Sequence, residues 1–445
     1  MKEVSLTEGK IAKNLFLFMI PILAGSLIQQ LYNTVDLILV GKYTGTYATA
    51  AIGSSSLIVT CLIGFFTGMA VGTNVITAHI FGSKDEKNLK KLVQTVFVFG
   101  IVGGLVLMAI GIIFAPTFLH LMNTPAEVFE HALIYLRIYM MSMVGIVFYN
   151  LTSGISRAIG DSRTPMVVQI IGGFVNVVVD VFLIAGLNMG VTGAAIATFL
   201  SQTTAALIMV VKINNALVKE NFFTCFKAFD SNLLLRIMKI GVPAGVQSMI
   251  ITFSNIIVQS QINSFGVDAI TTFTAYFKIE LLMYLPAMAM GQAVVSFVGQ
   301  NYGANQIKRM KRGVGVSLVM GAVMVEAISL FVMFFSKQAF GIFTSSEAAI
   351  QYGTQIAWIA FPFYFLYPIL ETFSGEIRGI GEALGPMIIT VFSFCVVRVS
   401  VLFALLNIWH EVKTVAIVYP ISWATATILL LIYGTIYKRK KFKEA

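Results

Sequence analysis

Apolar residues in this chain come in long blocks. From Leu15 almost to the C-terminus, runs of roughly 20 apolar residues recur between short polar breaks, each long enough to cross the ~30 Å hydrocarbon layer of a bilayer. The pattern predicts an all-α polytopic membrane protein with twelve transmembrane helices, at 14–40, 48–78, 93–115, 132–155, 166–187, 190–211, 237–263, 270–300, 314–336, 350–373, 386–407 and 414–436. Several exceed about 20 residues, so tilt or projection beyond the bilayer is expected. The first run is too long for a signal peptide and lacks a clear cleavage site, so it is expected to stay as span 1.

The polar breaks repeat. "SRAIGDSRTP" (156–165) and "IRGIGEALGP" (377–386) share the pattern R-[AG]-I-G-[DE]-x-x-x-P at an offset of 221 residues. The same offset aligns "FGSKDEKNLKK" (81–91) with "YGANQIKRMKR" (302–312), and Gly45–Ala48 with Gly266–Ala269. Pro21 pairs with Pro243, and Asn33 with Asn255, at an offset of 222. Spans 1–6 are therefore duplicated as spans 7–12. Six is even, so the halves share one orientation, and two six-helix bundles related by a pseudo-twofold along the membrane normal are expected, with a binding cavity between them. The organisation predicted is residues 1–213 for the first bundle, a cytoplasmic linker at 214–236, and 237–445 for the second bundle with its basic tail. In both R-x-I-G loops the glycine can end the incoming helix and the proline suits the first turn of the next.

Composition agrees with this picture. Hydrophobic residues make up 58% and charged ones 11%, which excludes two or three soluble domains. The net charge of +10 is explained by topology and calls for no nucleic-acid partner. Of 30 lysines and arginines, 24 fall on one set of loops and ends, while the opposite loops carry Lys42, Lys337 and Lys413. By the positive-inside rule both termini face the cytoplasm, in a multi-pass protein of the plasma (cytoplasmic) membrane. Cys61, Cys225 and Cys395 are scattered and the four histidines isolated, so no disulfide framework, zinc site or cofactor is indicated.

Against this apolar background, "GGFVNVVVDVFLIAG" (172–186) carries Asn176 and Asp180 on one helical face, since four residues turn a helix to within about 40°. Asp36 shares a polar arc of about 80° with Ser26, Gln29 and Asn33 in span 1. Gln169 joins Asn176 and Asp180 in span 5, Thr198 lies in span 6, and span 7 has Ser248, Thr252, Asn255 and Gln259. Such stripes should face the bundle interior, where isolated Ser, Thr and Asn serve mainly to tie helices together. Two carboxylates are different. A buried carboxylate needs a countercharge, a metal ion or a proton, and spans 1, 2, 5 and 6 hold no lysine or arginine to serve as an obvious partner. Asp36 and Asp180 are therefore candidates for a site carrying H⁺, or Na⁺ as a hard cation bound by oxygens. Tyr135 and Asn150 on span 4 are further substrate-site candidates. Glu280 on span 8 could attract a cationic substrate or join an ion-pair network with Arg398, and Met283, Met288 and Met290 offer a soft surface or core packing.

The duplicated six-span layout, the two R-x-I-G-[DE]-x-x-x-P loops and the glycine-then-basic loops after spans 2 and 8 resemble the MATE family, the multidrug and toxic compound extrusion transporters. "LYNTVDLILVG" (31–41) with "NVVVD" (176–180) is similar to the branch whose coupling acid lies in the N-terminal half. The family's other coupling pattern uses an acid on span 7, where this chain has Asn255, Gln259 and Gln261. The resemblance implies secondary active efflux of cationic, amphiphilic compounds against inward H⁺ or Na⁺. It implies a cation site at Asp36, Asn176, Asp180 and Thr198, with Gln29 and Tyr32 lining the N-terminal cavity. A monomer in the lipid bilayer is expected. The alternative is a flippase for lipid-linked sugars, which would need a cavity lined by several arginines, whereas only Lys278 and Arg398 are plausible within spans. Nothing reads as the nucleophile–base set an intramembrane enzyme would need, a channel is disfavoured by the duplicated two-lobe plan, which suits rocking, and no Walker motif is present.

Overall fold

The computed structural model describes residues 5–44, 46–122, 124–219 and 228–442. Gly45 of the repeat, Cys225, residues 220–227 of the expected linker, and Lys2, Lys227 and Lys443 lie outside them. The described residues are helical almost throughout, with no strand among them. Ten helices are long and apolar enough to cross a membrane, and two bent pairs, counted as one span each, bring the number to twelve. This is a multi-pass membrane protein.

The helices run beyond the apolar blocks that announce them. Span 3 covers Glu86–Leu121 rather than 93–115, because Asp85 caps it by accepting the Asn88 N–H at 3.0 Å and the polar "EKNLKK" continues the helix. Spans 1, 7 and 8 extend likewise, to Ile11–Thr44, Ser231–Asn263 and Val267–Gly303. Spans 4 and 10 are not the single helices expected at 132–155 and 350–373. Ala126–Met141 and Met143–Ala158 meet at 44°, and Glu347–Phe363 and Leu366–Gly379 at 43°. The breaks fall near Ser142 and Phe363, again 221 residues apart. Pro362 explains the second by removing a backbone donor. At the first, the Ser142 hydroxyl donates to the Tyr139 carbonyl and competes for the helical bond.

The repeated loops share a backbone device. The N–H of Asp161 reaches the Ser156 carbonyl at 3.0 Å and that of Gly160 the Arg157 carbonyl at 3.0 Å; Glu382 and Gly381 repeat both bonds to Ile377 and Arg378, at 3.1 and 2.8 Å. These are paired Schellman closures, and they require a left-handed residue, supplied by Gly160 (φ 91°) and Gly381 (φ 104°). Asp161 then accepts the N–H of Thr164 at 3.0 Å to start span 5.

The chain divides into two compact units, one built from Ile20–Gly245 and one from Leu6–Met19 with Val246–Ala445, so the boundaries fall inside spans 1 and 7 beside Pro21 and Pro243. In the first unit, Tyr135, Tyr139, Met140 and Ile184 belong to one buried core. In the second, Tyr276, Phe361, Tyr364 and Trp423 centre a larger one. Met283 is fully buried in that core and Met290 fully buried elsewhere in the same unit, so both act as packing.

Helix starts outside the membrane carry a titratable stabilisation. Asp230 takes the Lys91 ammonium at 2.7 Å and the N–H groups of Asn232 and Leu233 as span 7 begins. The Lys91 hydrogen bond, then the Leu233 N–H, hold its carboxyl below the usual carboxylate range; the backbone and side chain of Asn88 do the same for Asp85. Both folded-state values are depressed, so this stabilisation is complete above the unfolded value of about 3.9 and is lost as pH falls through the folded one. The melting temperature in detergent should drop below about pH 4, with a shallower acid limb in an Asp85→Asn/Asp230→Asn protein.

Candidate functional site

Span 5 follows Arg163–Asp180 as an α-helix and then switches to a π-turn at Val181–Gly186, immediately after the acid. Such turns recur where a helix must aim a functional group. Asn176 and Asp180 are on the buried face of this helix, at 3% and 0% exposure. Span 1 reaches it through Tyr32, whose ring lies against Gly173: a Cβ there would come within 2.9 Å of the ring. The Tyr32 hydroxyl accepts Gln169 Nε2 at 3.0 Å, and Gln202 lies close to it. Ser201 fastens span 6 to span 5 by donating to the Gly172 carbonyl at 2.9 Å.

Asp36, one turn beyond Tyr32, is brought close enough to Asp180 for the two carboxylates to interact electrostatically. Tyr135 is within electrostatic reach of both acids, and Tyr139 within reach of Asp36 and Tyr32. Asp36 Oδ1, Asn176 Oδ1 and both Asp180 oxygens are buried with no hydrogen-bond partner from the protein. Among the described residues neither acid has a salt-bridge partner. Thr198 donates its hydroxyl proton to the Ala194 carbonyl at 3.1 Å, leaving only lone pairs to offer. Asp36, Asn176 and Asp180 thus present unpartnered oxygens, acceptors suited to a proton or a hard cation. Among the described residues, no group of three or more His, Cys, Asp or Glu is arranged to hold a metal ion.

Other candidates are placed differently. Gln29 is half-buried and Asn33 exposed on span 1. Asn150 bonds back to the Ile146 carbonyl at 2.8 Å within its own helix. Glu280 belongs to the second unit, where the Tyr364 hydroxyl donates to it at 3.2 Å. Glu326 accepts the Phe365 N–H at 2.9 Å at the break in span 10, and Glu376 pairs with Lys438 at 2.8 Å. Glu371 packs on Gly291 within reach of Arg378, which donates to Gln247 at 2.7 Å. Sequence reasoning passed over Tyr139 and Gln202. Tyr139 is one turn after Tyr135 on the same face, its ring 5.8 Å from that of Tyr135, and that spacing was the available signal.

A duplicated all-helical bundle of membrane-spanning helices is the plan of a membrane transporter. Residues 21–182 and 243–404 each match the MatE family, and the chain belongs to it. Over 450 residues it is 31% identical to the probable multidrug resistance protein YpnP of Bacillus subtilis strain 168, covering 100% of both chains. It is 28% identical to the probable multidrug resistance protein YoeA of the same strain, over 98% of this chain and 96% of that one. A crystal structure of a MATE protein in complex with MaL6 superposes with a TM-score of 0.91 at 25% identity, covering 100% of both chains.

Proposed function

We propose that this transporter exports cationic, amphiphilic compounds, multiple drugs among them, in exchange for H⁺ or Na⁺, and that the exchange is coupled at Asp36, Asn176, Asp180 and Thr198. The observation that carries the reading is the cluster of buried oxygens with no donor from the protein at Asp36, Asn176 and Asp180. Two anionic carboxylates in that setting are costly until a cation or proton joins them. The multidrug resistance naming of the two Bacillus relatives supports the substrate class.

In the proposed cycle the cation enters from outside and neutralises the acid pair, span 1 repacks near Pro21, and substrate leaves. The cytoplasm-facing protein then releases the ion and takes the next cationic substrate from the cytoplasm or inner leaflet. Tyr32, Gln29, Asn33, Tyr135 and Asn150 line the substrate's path in the first half. Both termini lie in the cytoplasm, the side on which basic residues collect.

Ethidium efflux from proteoliposomes, with pH and Na⁺ gradients imposed separately, tests this. Uphill movement is expected with at least one gradient and with no ATP present. Efflux indifferent to both gradients would remove the coupling assignment.

A further inference from the structure

The second unit contains a buried cation that the proposed cycle does not use. Arg398 is 3% exposed. Its Nε donates to Ser422 Oγ at 3.1 Å and its Nη1 to Asn255 Oδ1 at 3.2 Å. The guanidinium lies over the rings of Phe394 at 4.2 Å and Tyr419 at 5.0 Å. The carboxylate that acts on it is Glu280, which is held by Tyr364 and makes no direct ion pair with it among the described residues.

The duplication says what this position corresponds to. The R-x-I-G loops align at an offset of 221, but a π-turn at Phe392–Val397 directly precedes Arg398. Its i→i+5 closure takes up one residue more than an α-turn. Beyond it the offset becomes 222, as it is where the two family matches end, at 182 and 404. Arg398 is then the counterpart of Asn176. Asn255, which accepts from Arg398, is the counterpart of Asn33 at the same offset.

We infer that Arg398 is a tethered cation filling the second unit's counterpart of the coupling-ion site. A guanidinium stays charged, stacks on aromatic faces and, being covalently attached, cannot be exchanged during a cycle. The second half therefore carries its countercharge permanently, and ion exchange is left to the acid pair of the first half. The inference rests on the proposed coupling site for its meaning, but its chemistry is tested separately. Removing the side chain should open a site for a free guanidinium or monovalent cation beside Glu280.

Melting temperatures of the purified full-length protein in detergent give the test. Arg398→Ala leaves Glu280 buried without its cation and should lower the melting temperature by roughly 5–10 °C. Millimolar guanidinium or methylguanidinium should restore at least half of that loss while leaving wild type unmoved. The Arg398→Gln/Glu280→Gln protein should melt near wild type without added cation. Should Arg398→Ala fail to fold, this neutral pair decides: a pair that also fails shows that Arg398 acts through shape, and the inference is lost. It is equally lost if Arg398→Ala melts low, ignores guanidinium and Na⁺, and gains nothing from Glu280→Gln. A cation-dependent rise should appear in Asp36→Asn/Arg398→Ala but not in Asp36→Asn, which separates this site from the proposed coupling site whether or not that assignment stands.

Discussion

An Asp36→Asn protein is expected to insert, fold and bind substrate, yet to carry out no gradient-driven efflux. The substitution keeps the shape of the side chain and removes its ability to hold a proton or balance a metal cation. It also removes the repulsion between Asp36 and Asp180, so stability should hold or rise. What disappears is the linkage between ion and substrate. Each elementary charge moving inward contributes about 2.3 kcal/mol per 100 mV, a concentration ratio of about fifty-fold. Without a group that loads and unloads the ion, the steady-state ratio across a proteoliposome should fall to about one, limited by downhill leakage alone. Fluorescent-substrate binding within a few-fold of wild type would show that the cavity survives. Asp180→Asn should behave alike, and the double variant should be no worse, because groups that act as one site lose their function together. Undiminished uphill transport by Asp36→Asn would end the coupling assignment at this residue.

How much of the fold is legible in the sequence follows from how local each signal is. Spans, the duplication and the R-x-I-G turns depend on residues adjacent in sequence, and the Gly160 and Gly381 closures form from the residues that announce them. The breaks in spans 4 and 10 were harder. Pro362 is a visible cause, but Ser142 bends its helix through one hydroxyl bond that no hydropathy window registers. The same limit applies at the candidate site. Helical periodicity puts Asn176 and Asp180 on one face, because that is a property of one helix. The approach of Asp36 to Asp180 depends on how span 1 seats on span 5, which Tyr32 and Gly173 decide together. Arg398 shows the reverse case: its charge was visible, but its enclosure by Phe394, Tyr419, Asn255 and Ser422 draws on three different spans.

Gly72→Ala and Gly245→Ala should each destabilise the protein by about 1–3 kcal/mol or more, as over-packing of a closed interface does. Within the first unit, Gly68 and Gly72 of span 2 meet Gly241 and Gly245 of span 7, two glycine pairs of identical spacing set backbone to backbone. A Cβ on Gly72 would come within 2.7 Å of the Gly241 nitrogen, and one on Gly245 within 2.7 Å of the Phe65 carbonyl oxygen. The obstacle in both cases is backbone, which cannot swing aside as a side-chain tip can, so the two helices must separate. Small residues at such spacing are what allow membrane helices to approach this closely, since lipid supplies no hydrophobic drive toward contact and dispersion must do so instead. Gly315→Ala is the matched control: nothing lies within 4 Å of its Cβ position, and removing a mid-helix glycine should stabilise by about 0.5–1 kcal/mol. Thermal melts in detergent should therefore move in opposite directions for the two kinds of glycine. Equal, small shifts at Gly72, Gly245 and Gly315 would mean that spans 2 and 7 do not press together in the folded protein, and the close crossing would have to be given up.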